Sequence, residues 1–324
     1  MRRRPFLASA LAALAVPAAW PARAAAWPDK PIRLVVPFGA GGVADLTARA
    51  VGQALGRRLG QSIVVDNRPG AGGVVAGEAV AKAAPDGYTL LLMSNGTAVS
   101  EGLFKRLPFD ARKDFVPISL LGRFDLALVV PGTSKFTSLQ AMLDAARADP
   151  GRLNLGTINV GSTQHLAAEL FRLSSKAELQ VVPFNGTPAL VTALRGGQID
   201  AAVEILSPLM PQVQAQAVRP LAVLGETRSP LLPQVPTVAE AAGLRGFDVS
   251  SWNALAAPAK TPRDIVERLA RETREVLASP EVKKQLADLN VQARASTPGE
   301  LAALLDREIR RWGDVIERAG IARQ

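Results

Sequence analysis

From residue 32 to about residue 225, short apolar runs alternate with polar-punctuated stretches of helical spacing. This is the pattern of an α/β fold built on mainly parallel strands. It predicts strands at Ile32–Val36, Ser62–Val65, Thr89–Met93, Leu126–Val130, Leu153–Leu155, Leu179–Val182, Ile199–Val203 and Pro220–Leu224. The first run is apolar without alternation, as in a strand covered on both faces, and Pro37 ends its ladder. Helix starts are predicted at three capping-box spacings, Thr137 with Gln140, Thr237 with Glu240 and Thr297 with Glu300. Thr261-Pro262 and Ser279-Pro280 place a cap before a first-turn proline. From Thr261 onward the spacing predicts three helices whose Arg and Glu residues form solvated faces. Two segments, Gly122–Val130 and Phe247–Ala257, are candidates to cross between two lobes. Paired side by side they would form a two-strand hinge, with residues 27–124 and 250–324 as lobe 1 and residues 125–249 as lobe 2.

The first 26 residues read as a cleaved secretory signal: Arg2, Arg3 and Arg4, an apolar run from Phe6 to about Trp20, then small residues around Ala22 to Ala26. The core Arg3-Arg4-Pro5-Phe6-Leu7 also admits the twin-arginine route. No later segment approaches the ~18 uninterrupted apolar residues of a spanning helix, so a soluble, periplasmic mature chain is expected. Loss of the leader removes Arg2, Arg3, Arg4 and Arg23 and lowers the formal net charge from +9 to +5. That mild basicity, with no dense Lys/Arg patch interleaved with aromatics, argues against a nucleic-acid partner. Cysteine is absent and His165 is the only histidine, so neither a transition-metal site nor a cofactor is expected.

Candidate chemistry gathers at loops that follow predicted strands. Gly39, Gly41 and Gly42 let the main chain bend after Val36 and bare its N–H groups at a helix start, a seat for a carboxylate or phosphate. Phe38, Ala40 and Asp45 belong to the same turn. Asp45 and Arg49, at i and i+4, read as a helix-face ion pair that could also orient the loop. Gly161, Ser162 and Thr163 precede a helix predicted over residues 164–173, with His165 expected to pack or orient that loop, direct contact with the ligand as the alternative, and action as a base behind both. Phe184, Asn185, Gly186 and Thr187 precede Pro188, with Thr187 read as the cap, and Ser94, Asn95 and Thr97 form a fourth polar loop. Loops of this kind at strand ends can line one pocket.

A longer set of motifs adds to this reading. Pro28 to Phe38, then Gly41-Gly42 with Asp45 and Arg49, resembles the opening of the tripartite tricarboxylate transporter substrate-binding proteins, the Bug receptor family. Asn67 to Gly73, Pro85 to Leu90, Leu107 to Asp110 with Lys113 to Phe115, Gly161-Ser162 with His165-Leu166, Val182 to Gly186, Gly196 to Asp200, and Val235 to Thr237 with Glu240 follow in the same order and spacing. The resemblance implies a two-lobed periplasmic-binding-protein type II fold. It implies a non-enzymatic receptor, expected to be monomeric, that holds a small carboxylate (dicarboxylate, amino acid or aromatic acid) between its lobes and delivers it to membrane transporter subunits or a sensor. Water can bridge the Phe38–Gly42 loop to such a ligand. Phe184, Asn185 and Ser100 stand where the family often has tyrosine, lysine and asparagine, and Glu204 where it usually has aspartate. Facing inward, Glu204 would repel a second carboxylate and favour an amine or amide; the alternative is a Glu204 packed against a basic residue at the sheet edge.

A competing class is an exported NAD(P)-dependent oxidoreductase. Gly39-x-Gly41-x-x-Ala44 follows a strand and opens a helix, and Asp66 falls about twenty residues further on, as in a dinucleotide fingerprint. Pro37 and the absence of a convincing acid–base set in the sequence weigh against it.

Overall fold

The computed structural model describes residues 27–324, and the leader lies outside them. In the first half, β1 (Ile32–Val36), α1 (Val43–Leu59), β2 (Ile63–Asn67), α2 (Val74–Ala81), β3 (Thr89–Ser94) and α3 (Asn95–Leu103) alternate. β1 lies between β2 and β3, parallel to both. The fourth strand, β4 (Phe115–Pro131), is 17 residues long, roughly 55 Å of extended chain. It pairs antiparallel with β9 (Ser250–Pro258) from Phe115 to Asp125. β9 in turn pairs antiparallel with β3, giving the order β2-β1-β3-β9-β4.

Beyond Asp125 the same strand β4 enters a second set. This contains α4 (Leu139–Ala148), β5 (Asn154–Ile158), α5 (Thr163–Ser175), β6 (Gln180–Phe184), α6 (Thr187–Arg195), β7 (Ala201–Ile205), α7 (Leu206–Gln214), β8 (Val218–Val223) and α8 (Val238–Ala242). β5 lies between β6 and β7, parallel to both, and β4 runs antiparallel between β7 and β8. The order β6-β5-β7-β4-β8 thus repeats that of the first set, a repeat with no trace in the amino-acid sequence. In each set three parallel strands are followed by one antiparallel strand and then a fourth. This is a two-lobed α/β fold with a two-strand hinge, the pairs Gly122–Asn253, Arg123–Trp252, Phe124–Ser251 and Asp125–Ser250 lying at the crossing. The chain returns to the first set where Val249 N–H donates to Leu224 O at 2.7 Å.

The C-terminal third supplies α9 (Arg263–Ala278), α10 (Pro280–Asp288), the two-residue strand β10 (Gln292–Ala293) on β4, and α11 (Pro298–Arg318). One apolar cluster fills the side of the first sheet under α1 and α9, with Ile32, Leu34, Val51, Leu92 and Leu269 all buried. A second packs α6 and α7 onto the second sheet through Leu190, Leu194, Val203's neighbour Ala202 and Leu206. The largest runs through both halves, joining Met93, Leu103 and Trp312 to Leu128, Leu166 and Phe171. Among the described residues no helix is long and apolar enough to cross a membrane.

Three expected caps are corrected. α4 is capped by Ser138, whose Oγ accepts from Ala141 N–H at 3.1 Å, not by Thr137. Thr261 does not cap α9, because its hydroxyl donates to Pro258 O at 2.7 Å and Pro262 takes the cap position. Thr187 is the first residue of α6, and the cap is Gly186, at φ +87°. The boxes at Thr237 and Thr297 and the Ser279 cap form as expected.

Candidate functional site

Parallel strands in each set end at the same edge, so the loops after β1, β2 and β3 lie together, as do those after β5, β6 and β7. In the first group Asp45 is the organising residue. Its side chain is 1% exposed, and Oδ2 accepts from Gly41 N–H at 2.9 Å and from Arg49 Nε at 2.9 Å. Oδ1 accepts from Asn67 Nδ2 at 2.9 Å, and Asn67 Nδ2 also reaches Phe38 O at 3.0 Å, binding the loop after β2 to the loop after β1. Burial works against the charge on Asp45, but hydrogen bonds from Arg49, Gly41 and Asn67 outweigh it and hold the carboxyl at about 2. The expected ion pair with Arg49 forms, and the carboxylate also uses up the Gly41 amide. The amides of Gly39, Ala40 and Gly42 meet no acceptor among the described residues and stay exposed at the start of α1.

The loop after β3 opens α3 with a capping box. Ser94 Oγ accepts from Gly96 N–H at 3.2 Å, and Ser94 N–H donates to Thr97 Oγ1 at 3.4 Å. Ser94 and Thr97 are therefore spent on their own helix. Asn95 is 1% exposed; its Nδ2 donates to Ser250 O at 3.4 Å in the hinge, while its Oδ1 has no partner among the described residues. Asn253, on β9 opposite Ser94, likewise holds a buried, unpartnered Nδ2, and sequence reasoning missed it because a lone Asn inside a strand carries no motif.

In the second group Glu204 plays the part that Asp45 plays in the first. It is fully buried on β7, and Oε1 accepts from Gln164 Nε2 at 2.6 Å and Ile205 N–H at 2.7 Å, Oε2 from the Thr187 hydroxyl at 2.8 Å. No basic residue pairs with it among the described residues; neutral donors from α5, α6 and the end of β7 surround it. Burial pushes its pKa up, opposed by those hydrogen bonds. Ser162 caps α5 by accepting from His165 N–H at 3.0 Å. His165 is buried and its Nδ1 accepts from Gly161 N–H at 3.4 Å, which requires a neutral ring; burial lowers its pKa accordingly. Asn185 is exposed beside Asn159, whose Nδ2 reaches Asn185 Oδ1 at 3.4 Å. Thr163 and Phe184 are half-buried on the same edge.

Gly161, at φ +82°, lies so near α3 that a Cβ there would sit 2.4 Å from Leu103 Cδ2. Phe38 and Val160, exposed at 40% and 44%, stand on loops of opposite groups. Asp66, the residue a ribose would need, accepts from Arg68 Nε at 2.8 Å. No group of three or more metal-ligating side chains occurs among the described residues.

Residues 47–321 match the family described as tripartite tricarboxylate transporter family receptor. The chain belongs to this family. Protein BugT of Bordetella pertussis (strain Tohama I) is 36% identical over 302 residues, covering 93% of this chain and 92% of BugT. The structure of R. palustris Rpa4515 with adipate superposes with a TM-score of 0.79 at 33% identity, covering 92% of this chain and all of the other. MatC of Rhodopseudomonas palustris with bound malate gives 0.75 at 33% identity, covering 90% of this chain and all of the other. The receptor thus shares its family and fold with proteins solved holding small dicarboxylic acids.

Proposed function

We propose that this receptor is exported to the periplasm and binds a small organic carboxylate between its lobes without chemistry, then hands it to membrane transporter subunits or a sensor. The observation that carries the reading is the turn after β1, where Asp45 and Asn67 fix the backbone and leave the amides of Gly39, Ala40 and Gly42 exposed and unpaired. Amides fixed in this way stabilise an anion with no reorganisation on binding. Phe38 and Val160 give the cleft an apolar rim suited to a methylene or aromatic body, in keeping with a relative solved with adipate. Glu204, with its oxygens engaged by three neutral donors, serves as a brace for the second group of loops and leaves the anion-binding role to the amides. Lobe 1, residues 27–124 and 250–324, and lobe 2, residues 125–249, would close on the ligand by a shift of population toward the state that contacts it from both sides.

A thermal-shift screen of the purified mature protein against adipate, malate, benzoate, single amino acids and neutral sugars tests the reading. Stabilisation by one or more carboxylates is expected, growing with concentration by mass action. Stabilisation by sugars alone, or nicotinamide found by mass spectrometry in the native protein, would overturn it.

A further inference from the structure

Arg123 lies at the crossing itself, in β4, and its side chain makes no hydrogen bond to any described residue; its Nε is fully buried and unpartnered. Beside it in register on β9 is Trp252, 1% exposed, whose Nε1 is also without a partner. Directly opposed residues on antiparallel strands point to the same face, so both donors lie on one side of the hinge. That side is walled by α11 and carries a small polar cavity of about 30 Å3 lined by Arg123, Trp252, Ser250, Arg307, Glu308 and Arg311 among others. A buried donor without an acceptor costs about 1–3 kcal/mol, and two of them on residues that line one cavity mark a place where an acceptor belongs.

Each of the two nearby acids has one oxygen engaged. Glu308 accepts from Arg311 Nη1 at 3.2 Å, and Asp248 Oδ1 accepts from Glu226 N–H at 3.1 Å. Arg311 Nη1 also donates to Asp248 O at 2.8 Å. Asp248 and Arg311 line a second, adjoining cavity of about 370 Å3 between α5, α11 and the segment leading into β9. Its walls include Leu170, Leu244 and Phe247, and exposed Arg245 stands at its edge with no ion-pair partner among the described residues.

We propose that these adjoining cavities form a second ligand site, separate from the interlobe cleft, for a small monocarboxylate with an apolar body. The carboxylate takes the Arg123 and Trp252 donors, since a guanidinium edge matches its two oxygens. The apolar body lies against Leu170, Leu244 and Phe247. Space of about 30 Å3 holds roughly two waters, enough for a headgroup and too little for the whole molecule.

The probe is 4-bromobenzoate, bound to the mature protein and located by the anomalous signal of bromine in crystals. A bromine peak beside Leu170, Leu244 and Phe247 is expected. Calorimetry should show affinity for the probe falling at least tenfold in Arg123→Gln and several-fold in Trp252→Phe, which removes the N–H while keeping the ring packing. Bromine found only in the interlobe cleft, bromine found nowhere, or an affinity unmoved in both variants would overturn the proposal. Adipate binding in the cleft, measured on the same variants, is expected to persist and separates this site from the first.

Discussion

Asp45 shows how a single carboxylate can fix the turn after β1. Its folded-state pKa, about 2, lies below the ordinary 3.8, so its contribution to stability is present above pH 3.8 and is lost as pH falls toward 2. Arg49 is half exposed and shares its charge with solvent, so we expect Asp45→Asn to cost about 1 to 2 kcal/mol at pH 7. Urea unfolding should show the gap between variant and parent closing between pH 3.8 and 2, and a gap that holds constant over that range would show that charge is not the cause. His165 titrates in a different window. Burial depresses its folded pKa below 6.5, so the neutral ring favours the fold above pH 6.5 and that share is lost as pH falls below it. His165→Asn can keep an acceptor near Gly161 and cannot ionise. Its melting temperature relative to the parent is therefore expected to rise on going from pH 7.5 to 5.5; parallel profiles would refute this. Of these roles, the sequence displayed the Asp45–Arg49 spacing but not Asn67, which comes from the next strand, 22 residues on, and is brought in only by the pairing of β1 with β2.

Elements were legible where one rule governs the local chain, and obscured where two compete. The parallel strands and α1 stand close to expectation because a buried β-strand and a glycine-bounded helix each leave a simple pattern. β4 begins seven residues earlier than the crossing read from Gly122, because its register shifts twice, between Pro117 and Ser119 and between Leu120 and Gly122. Each shift breaks the alternation, so Ile118 and Leu120, two residues apart, pack into different clusters and the run no longer reads as a strand. Similarly, Thr137 and Ser138 are both able caps, and only the geometry of the turn selects Ser138. Thr187 loses its expected cap role because Gly186 can adopt φ +87° and frees the hydroxyl for Glu204. Glu204→Ala is expected to leave three donors, on α5, α6 and the end of β7, without an acceptor and to destabilise the protein by about 1–3 kcal/mol. Hydrogen exchange should then rise first at the starts of α5 and α6. Exchange that rises only with global unfolding would mean that Glu204 is no brace.

At the scale of the molecule, one apolar cluster runs through both sets of strands and takes in Trp312 of α11. Gly161 meets Leu103 at the far end of α3, roughly 12 Å along the helix from Asn95. A side chain at 161 would meet two obstacles. Its φ of +82° suits glycine, costing another residue roughly 1 kcal/mol or more, and its Cβ would fall 2.4 Å from Leu103 Cδ2. Relief requires either a new Leu103 rotamer or a wider separation of the loop from α3. We expect Gly161→Ala to shift the protein toward a more open form, with a larger radius of gyration by small-angle scattering. Adding Leu103→Ala removes the steric wedge but leaves the backbone strain. The double variant should therefore regain the parent's dimensions while keeping a small loss of melting temperature. If Gly161→Ala already has the parent's dimensions, the contact between residue 161 and Leu103 does not set how far the two sets of strands stand apart.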